Sequence, residues 1–417
     1  MITVVGLGFV GLTTGLGFAE RGSKVFACDK NPERMRAYAR DEVPFHEPGL
    51  QAVLARQRGG NFELSGDLAA AVAKSKIVFF CVGTPSSDSG EADLSQIFGA
   101  FDEMAPALRD GQFRVLTIKS TVPPGTAGKQ FATHVASRGF HVGQDVGIAS
   151  NPEFLREGHA WKDFIEPDRV VIGVSDERSA SLLRAVYEPF GAPIHATTLN
   201  SSEFIKYLSN SLLATMVSFS NEMSMIAHSV GDVDIGGSFR VLHQDKRWHG
   251  SPANMASYVY PGCGYGGYCL PKDTLALHRA AGAHGHDARL LAEVIRVNED
   301  IKDFLVARAC RDLPTDVTIG VLGLAFKAGS DDVRDSPAAA VLAKLVERGY
   351  RNFVAFDPMA NAEFARHYDL PLQYVDSIDE VVRRADKVLI LTAWPQFRDA
   401  AVSIRTRDVF DFRYLLA

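Results

Sequence analysis

The stretch Gly264-Tyr265-Gly266-Gly267-Tyr268-Cys269-Leu270-Pro271-Lys272-Asp273 is the part of this 417-residue chain best equipped for covalent chemistry. A glycine-rich approach leaves room for substrate around the Cys269 sulfur, and Asp273, four residues on, is an acid placed to hold water or a proton. The thiol alone decides nothing, because a cysteine outside a disulfide is more often a buried structural residue. Glu153 with Glu157 and Lys206 with Asn210 are also spaced by four, so on helices each pair shares a face. Taken singly, either reads equally well as a surface pair.

A phosphate site opens the chain. Gly6-Leu7-Gly8-Phe9-Val10-Gly11 follows the apolar run Ile2–Val5 and leads into a helical pattern with Leu12, Leu16 and Phe18. Glycines there let the backbone turn tightly and approach a pyrophosphate that faces the helix N-terminus. Asp29, 18 residues after Gly11 at the end of the next strand-like run, is placed to accept both hydroxyls of a ribose. Its charge repels a 2′-phosphate, so the expected cofactor is NAD rather than NADP, a preference that Lys30 and Arg34 soften without reversing. Val82-Gly83-Thr84-Pro85, Lys119-Ser120-Thr121-Val122-Pro123 and Ser150-Asn151-Pro152-Glu153-Phe154-Leu155-Arg156-Glu157-Gly158 end three more such runs. In an open α/β sheet ligands sit beyond the carboxyl ends of strands, so these polar ends are expected to meet at one site.

These residues need elements to hold them. Ile2–Val5, Lys24–Cys28, Ile77–Val82, Val115–Lys119, Val146–Ala149 and Val170–Gly173 read as strands alternating with helices, the pattern of a doubly wound parallel sheet. From Asn200 the strand signal fades. Phe204–Met225 and Asp287–Arg308 read as long helices, the first opened by a capping-box-like Asn200 with Glu203 three residues on. From Val317 the alternation resumes in VTIGVLGLAFK, NFVAFDP and KVLILTAW. The fold expected is α/β: two Rossmann-like doubly wound parallel-sheet domains, 1–198 and 311–417, joined by a central long-helix region, 199–310, that carries the Cys269 loop. VGLGFVG and VLGLAFK, with Asp29 and Asp357 each closing a second strand, form a weak repeat that by itself implies no common function.

Composition narrows the rest. At about 150 residues per domain the length gives two to three domains, and 46% hydrophobic with 23% charged residues is the balance of an ordinary globular chain. A net charge of −6 supplies no basic field for nucleic acid or an anionic membrane, so phosphate must be bound locally. The five cysteines, Cys28, Cys81, Cys263, Cys269 and Cys310, are scattered and form no CxxC pair. That points away from a disulfide scaffold or structural zinc and toward a reducing compartment, the cytoplasm. The uncharged start up to Ala19 is broken by five glycines and lacks a basic segment, so it reads as strand and helix rather than signal peptide. His284 and His286 form an HxH, and His46-Glu47 lacks the second histidine of a zincin; no metal is assigned.

Taken in order, GxGxxG with Asp29, VGTP, KSTVPPGT, SNPEFLREG, FIKYLSN, GYGGYCLPKD and GLAFKAGSDDVRDSP make the chain resemble, essentially end to end, the nucleotide-sugar 6-dehydrogenases of the UDP-glucose/GDP-mannose dehydrogenase family. The resemblance implies an N-terminal NAD domain, a long central helix that pairs two copies as a homodimer, and a C-terminal nucleotide-binding domain. It implies oxidation of a sugar C6 alcohol to a carboxylate with two NAD⁺, through an aldehyde captured by a cysteine. Carried over residue by residue, Cys269 is the nucleophile and Lys206 and Asn210 stabilise oxyanions at C6. Thr121, Glu157 and Asp273 position water and its protons, with Glu157 the base of thioester hydrolysis and Glu153 nearer the substrate. Cofactor positions are Gly6, Gly8, Phe9, Val10, Gly11, Asp29, Arg34, Val82, Gly83, Thr84, Pro85, Ser86, Ser120, Thr121, Val122, Glu157 and Arg334. Sugar-nucleotide positions are Glu153, Phe154, Leu155, Arg156, Glu157, Lys206, Asn210, Tyr258, Tyr260, Pro261, Gly262, Cys263, Gly264, Phe326, Lys327 and Arg413.

Two departures from the resemblance stand out. Many relatives carry an Arg-Ile-Gly segment before the glycine-rich loop whose arginine reaches a neighbouring subunit's substrate; here Arg247 lies upstream and Ala253 takes the arginine's place. Phe412 stands where relatives usually carry glycine, beside Arg413. Lys272 after Cys-Leu-Pro resembles the glucose and mannose branches, so UDP-glucose is the expected substrate, with GDP-mannose or another UDP-hexose as the alternative. Two other readings stay open. A two-electron dehydrogenase of similar layout has no use for Cys269, and a nucleotide-sugar binder without turnover has no need of intact Lys206, Asn210, Cys269 and Asp273. The carboxylate at Asp29 sets a first test: kcat/KM with NAD⁺ is expected to exceed that with NADP⁺, and equal or better use of NADP⁺ would overturn the assignment and implicate Lys30 or Arg34.

Overall fold

In the computed structural model, which describes residues 1–230, 232–244, 260–283 and 287–416, the apolar runs of the sequence become the strands of two sheets. The first contains β1 (Ile2–Val5), β2 (Val25–Cys28), β3 (Phe62–Leu64), β4 (Ile77–Phe80), β5 (Arg114–Ile118), β6 (Val146–Ser150), β7 (Val170–Val174) and β8 (Ile194–Thr197). Their order is β3-β2-β1-β4-β5-β6-β7-β8. Alternate side chains feed two separate cores, Ile2, Val4 and Phe79 one and Val5, Val78 and Phe80 the other, as a sheet covered on both faces requires. Neighbours are parallel except β6 and β7, which pair antiparallel at Ala149–Val174 and Ser150–Gly173. An irregular run and one short helix, Ala160–Ile165, join those two strands, so the chain returns alongside β6 instead of crossing over.

The second sheet, β9 (Ile319–Leu322), β10 (Phe353–Phe356), β11 (Leu372–Tyr374), β12 (Lys387–Ile390) and β13 (Asp408–Asp411), is parallel throughout in the order β11-β10-β9-β12-β13. This repeats the order of the first five strands of the other sheet, and the repeat extends to the turns. Gly6 N donates to Cys28 O at 2.8 Å and Gly323 N to Phe356 O at 2.9 Å. Leu7 N donates to Asp29 at 2.6 Å and Leu324 N to Asp357 at 2.7 Å. The chain divides into two compact units, Met1–Ser209 and Asn210–Ala417, one around each sheet. The long helices Leu199–Val230 and Arg289–Ala309 each extend beyond at least one of the ends read from the sequence.

The first long helix does not begin with a capping box. Asn200 already lies inside it, and Thr198 Oγ1 accepts from Ser201 N at 3.2 Å. Glu203 is buried and accepts the N–H groups of Gly125 and Ala127 at 2.7 Å each. Gly125, at φ +96°, opens a helical turn whose first N–H groups need acceptors, and a distant carboxylate supplies them. Burial pushes the Glu203 carboxyl up to about 7, against the lowering effect of those N–H groups. A carboxyl raised on folding contributes most when protonated, so its share of stability is full below the ordinary value of 4.5 and is lost as pH rises through 7. Unfolding by urea, followed against pH, is expected to show stability falling across that window in the wild type and to lose that component in Glu203→Gln. An unaltered profile in the variant would mean that Glu203 ionises as an ordinary carboxyl.

Candidate active site

At the end of β1 the chain turns into the helix Phe9–Glu20, whose N-cap, Gly8, offers no side-chain cap. A Cβ on Gly11 would stand 1.8 Å from Gly6 O, so only glycine lets the helix begin this close to the strand, whereas a Cβ on Gly8 would meet nothing within 4 Å. The turn is therefore open where a phosphate would face uncapped N–H groups. Asp29, at the end of β2, accepts from Leu7 N at 2.6 Å, Asn31 N at 2.8 Å and Arg34 Nη1 at 2.8 Å. A carboxylate has about four acceptor sites, so a ribose would use what these three leave, with the Arg34 guanidinium beside it. After β4 and β5 the two loops are joined: Thr84 Oγ1 donates to Thr121 O at 2.9 Å and Ser120 Oγ to Val82 O at 2.6 Å. Gly6 to Gly11, Asp29, Arg34, Val82 to Pro85 and Ser120 to Val122 thus share the carboxyl edge of β1, β2, β4 and β5. These residues fit a dinucleotide.

Glu153 and Glu157 do not share a helix face, because residues 151–156 are irregular and 157–159 form a turn. Pro152 disfavours helical backbone at Asn151, whose side chain is already committed: Nδ2 donates to Val171 O at 2.8 Å and Oδ1 accepts from Lys119 Nζ at 2.9 Å. Glu153 is buried, accepts from Leu155 N at 2.6 Å and pairs with Lys206 Nζ at 2.8 Å. Burial opposes the Glu153 charge, but Lys206 more than offsets it, aided by Leu155 N and Lys119, and the carboxyl stays below its ordinary value. Lys119, also buried, is pulled down by desolvation to about 8. Two lysines therefore bear on one carboxylate. The Phe154 ring lies under Arg169 at 4.3 Å and Lys206 at 5.7 Å, while Arg156 is paired with Asp163 at 2.6 Å.

Asn210 follows Lys206 by one turn of the long helix, and both are buried. Its Nδ2 donates to Asp273 Oδ2, and the other carboxylate oxygen takes Lys272 Nζ at 2.5 Å. Cys269 immediately precedes the helix Leu270–Ala283, and its carbonyl accepts Asp273 N at 2.8 Å. Burial works against the Lys272 charge, but Asp273, Cys269 and Tyr268 outweigh it and raise Lys272 above its ordinary value. Cys269 is exposed, whereas Cys263 is fully buried with Sγ 3.5 Å from Leu391 O, so only its backbone is available to a ligand.

Around this loop the second unit gathers most of the remaining residues. The Arg413 guanidinium lies against Gly262, where a Cβ would come within 2.4 Å of Nη1. Tyr260 OH donates to Tyr414 O at 3.1 Å, Lys327 Nζ stands 5.3 Å from the Phe326 ring, and Arg334 pairs with Asp332 at 2.6 Å while lying over Tyr268 at 4.6 Å. Phe412 is buried against Phe410, 4.9 Å between rings, so the side chain in place of glycine fills the core and leaves Arg413 in the turn after β13. Tyr258, Arg247, Ala253, His284 and His286 lie outside the described residues. Among the described residues no group of three or more His, Cys, Asp or Glu is placed to hold a metal.

The chain matches the NAD binding domain of the UDP-glucose/GDP-mannose dehydrogenase family over residues 1–191, its central domain over 200–300 and its UDP binding domain over 320–417. It belongs to that family. A UDP-glucose 6-dehydrogenase of Bacillus subtilis is 38% identical over 99% of this chain and 93% of its own, and one of Pseudomonas aeruginosa is 36% identical over 100% and 94%. Among solved structures, a UDP-glucose dehydrogenase from Pyrobaculum islandicum is 36% identical with a TM-score of 0.90 over 99% of this chain and 94% of that one. A GDP-mannose dehydrogenase from Pseudomonas aeruginosa is 32% identical with a TM-score of 0.57 over 99% and 96%. This member of the family is an NAD-dependent dehydrogenase of nucleotide sugars. No helix among its described residues is long and apolar enough to cross a membrane.

Sequence reasoning gave no separate role to several residues that hold the candidate loops within each unit. Lys119 fixes Asn151, Asn221 Oδ1 accepts Gly262 N at 2.7 Å, and buried Glu47 accepts Gly158 N and Trp161 N at 3.1 Å each. The available signal was an asparagine inside a long helix, a poor choice for helix formation unless its amide is needed elsewhere. The Lys206–Glu153 pair yields a test. Lys206→Ala is expected to lower kcat about 10²–10³-fold with a smaller rise in KM. It should also cost about 3–5 kcal/mol by removing the ion-pair partner of buried Glu153. Adding Glu153→Gln should recover stability in thermal denaturation but not kcat; an unchanged kcat with weakened substrate would make Lys206 a binding residue only.

Proposed function

We propose that this dehydrogenase oxidises the C6 alcohol of UDP-glucose to the carboxylate of UDP-glucuronate through a Cys269-bound intermediate. The observation that carries the reading is the setting of Cys269: exposed, at a helix N-terminus, with buried Asp273, tied to Asn210 and Lys272, four residues on in the first turn of that helix. NAD, when bound, takes up the hydride of each oxidation. The Cys269 thiolate adds to the aldehyde carbon, a C–S bond forms, and the carbonyl oxygen becomes an oxyanion stabilised by Lys206 and Asn210. Loss of the second hydride leaves a thioester. Water, with Asp273 to take its proton, attacks the acyl carbon, the C–S bond breaks and the thiolate returns. One water is consumed and four electrons leave as two hydrides. Glu153 pairs with Lys206 Nζ at 2.8 Å and holds it in its buried position. The greater likeness to UDP-glucose enzymes than to the GDP-mannose enzyme supports the choice of substrate.

We assign residues 1–198 to NAD binding, 199–310 to dimerisation and the cysteine loop, and 311–417 to the uridine nucleotide. Phe204, Leu208, Leu212 and Phe219 are exposed and fall within about 80° of one another around the long helix at its ~100° per residue. A second copy of the helix is our reading of what covers them, giving a homodimer. The five cysteines form no disulfide, in keeping with a cytoplasmic enzyme.

Cys269 separates this reading from every two-electron one, because removing hydride from the alcohol needs no thiol, whereas oxidising the aldehyde the same way needs a tetrahedral adduct. Wild type is expected to form two NADH per uronic acid, Cys269→Ala none of the acid, and Cys263→Ala the acid at the wild-type ratio. NADH counting beside mass spectrometry of the product checks this. Uronic acid from Cys269→Ala, or one NADH per final product in wild type, would overturn the mechanism.

A further inference from the structure

The loop that presents Cys269 is irregular from Pro261 to Gly267, yet its backbone is buried and must find partners off the helices and sheets. Tyr265 has both its peptide groups satisfied by one side chain. Asn298 Oδ1 accepts Tyr265 N at 2.7 Å, and Asn298 Nδ2 donates to Tyr265 O at 3.2 Å. A carboxamide is the side chain that offers an acceptor and a donor side by side for such a clasp. Asn298 sits in the interior of the helix Arg289–Ala309 and is itself buried, where neither helix propensity nor solvation favours asparagine. Gly264, at φ +94°, is the other half of the device, since a Cβ there would stand 2.6 Å from Asn298 Oδ1.

We infer that Asn298 is the positioning residue that sets where the Cys269 sulfur stands, an inference that rests on the thiol reading above. From Tyr265 the loop runs four residues to Cys269, with Gly267 N donating to Arg334 O at 3.1 Å on the way, and Cys269 is then fixed by its own helix through Asp273 N. The clasp is the anchor at the opposite end of this span. Packing does not replace it on every side: the Tyr265 ring rests on Ala214 and Val294, but a cavity of about 480 Å³ borders Tyr265, Pro271 and Asn298. Without the amide the span can shift toward that space while the Leu270–Ala283 helix remains formed.

Capture of the aldehyde depends on the sulfur's position, whereas the first hydride loss does not involve sulfur. Loosening the loop therefore lets aldehyde escape after the first oxidation. In Asn298→Ala, kcat for uronic acid is expected to fall about 10- to 100-fold, the scale of a small misplacement of a reacting group. NADH formed per uronic acid should rise above two, with free aldehyde trapped by a hydrazine and identified by mass spectrometry. Asn298→Asp keeps the acceptor for Tyr265 N and should lie between wild type and Asn298→Ala; it also carries the test if the alanine variant does not fold. A merely structural role would reduce the amount of active enzyme and leave the ratio at two. A ratio of two in the soluble Asn298 variants, at any kcat, overturns the inference while leaving the thiol mechanism standing. Uronic acid from Cys269→Ala in the same assay overturns both.

Discussion

A carboxylate taken out of water must be paired, and this constraint organises the first long helix and the loops it meets. Glu153 and Asp273 are buried, and each takes a partner from that helix: the ammonium of Lys206 and the amide of Asn210. Glu203, a third buried carboxyl, lies on the helix itself and binds the N–H groups of Gly125 and Ala127. At positions i, i+3 and i+7 the three residues form one stripe, so a break in the helix between 203 and 210 would disturb the contacts of three buried carboxyl groups at once. Such a loss typically costs several kcal/mol per unpaired ion, more than the helix gains from its own propensity there. Continuity of the helix is thus enforced by electrostatics before any substrate arrives.

The two cysteines of the glycine-rich loop show how burial divides chemistry from packing. Desolvation pushes the Cys263 thiol up, although Arg413 opposes it, and its sulfur faces a backbone carbonyl in the core. Cys269, six residues on, stands in the open at a helix start with Lys272 within electrostatic reach. The same side chain in the same loop is enclosed by the core in one place and open to solvent in the other, and in the proposed reaction the difference lies in solvent access and local field rather than in the residue type.

Nine of the strands, the dinucleotide turn and the cysteine loop were legible in the sequence because they rest on local pattern: apolar runs of strand length, glycines at fixed spacing, and an acid at the next strand end. The edge strands β3, β8, β11 and β13, short and partly exposed, carry no such run and were not read. What was not legible depended on partners far along the chain. Glu203 matched a capping box, but Gly125 and Ala127 offered stronger claims on its carboxylate. Glu153 and Glu157 had helical spacing, but Pro152 and the commitments of Asn151 denied them a helix. The antiparallel β6–β7 pair depends on a short return that hydrophobic periodicity does not encode. Asn221 and Asn298 carry no motif at all; their meaning comes from the loop backbone they hold.

The repeated turn ends differently in its two copies. Asp357 takes five donors, the backbone N–H groups of Leu324, Ala325, Met359 and Ala360 and the indole of Trp394, and so is saturated. Asp29 takes three and keeps capacity for a ligand. One carboxylate is a rivet, and the other is a rivet that can also hold a ribose. Redesign of cofactor choice at Asp29 consequently carries a structural penalty, because removing the carboxylate orphans the Leu7 and Asn31 N–H groups at about 1–3 kcal/mol for each that water cannot reach. A neutral acceptor such as asparagine or serine would retain part of that tie, so the routes open to altered cofactor use are narrower than a surface position would allow.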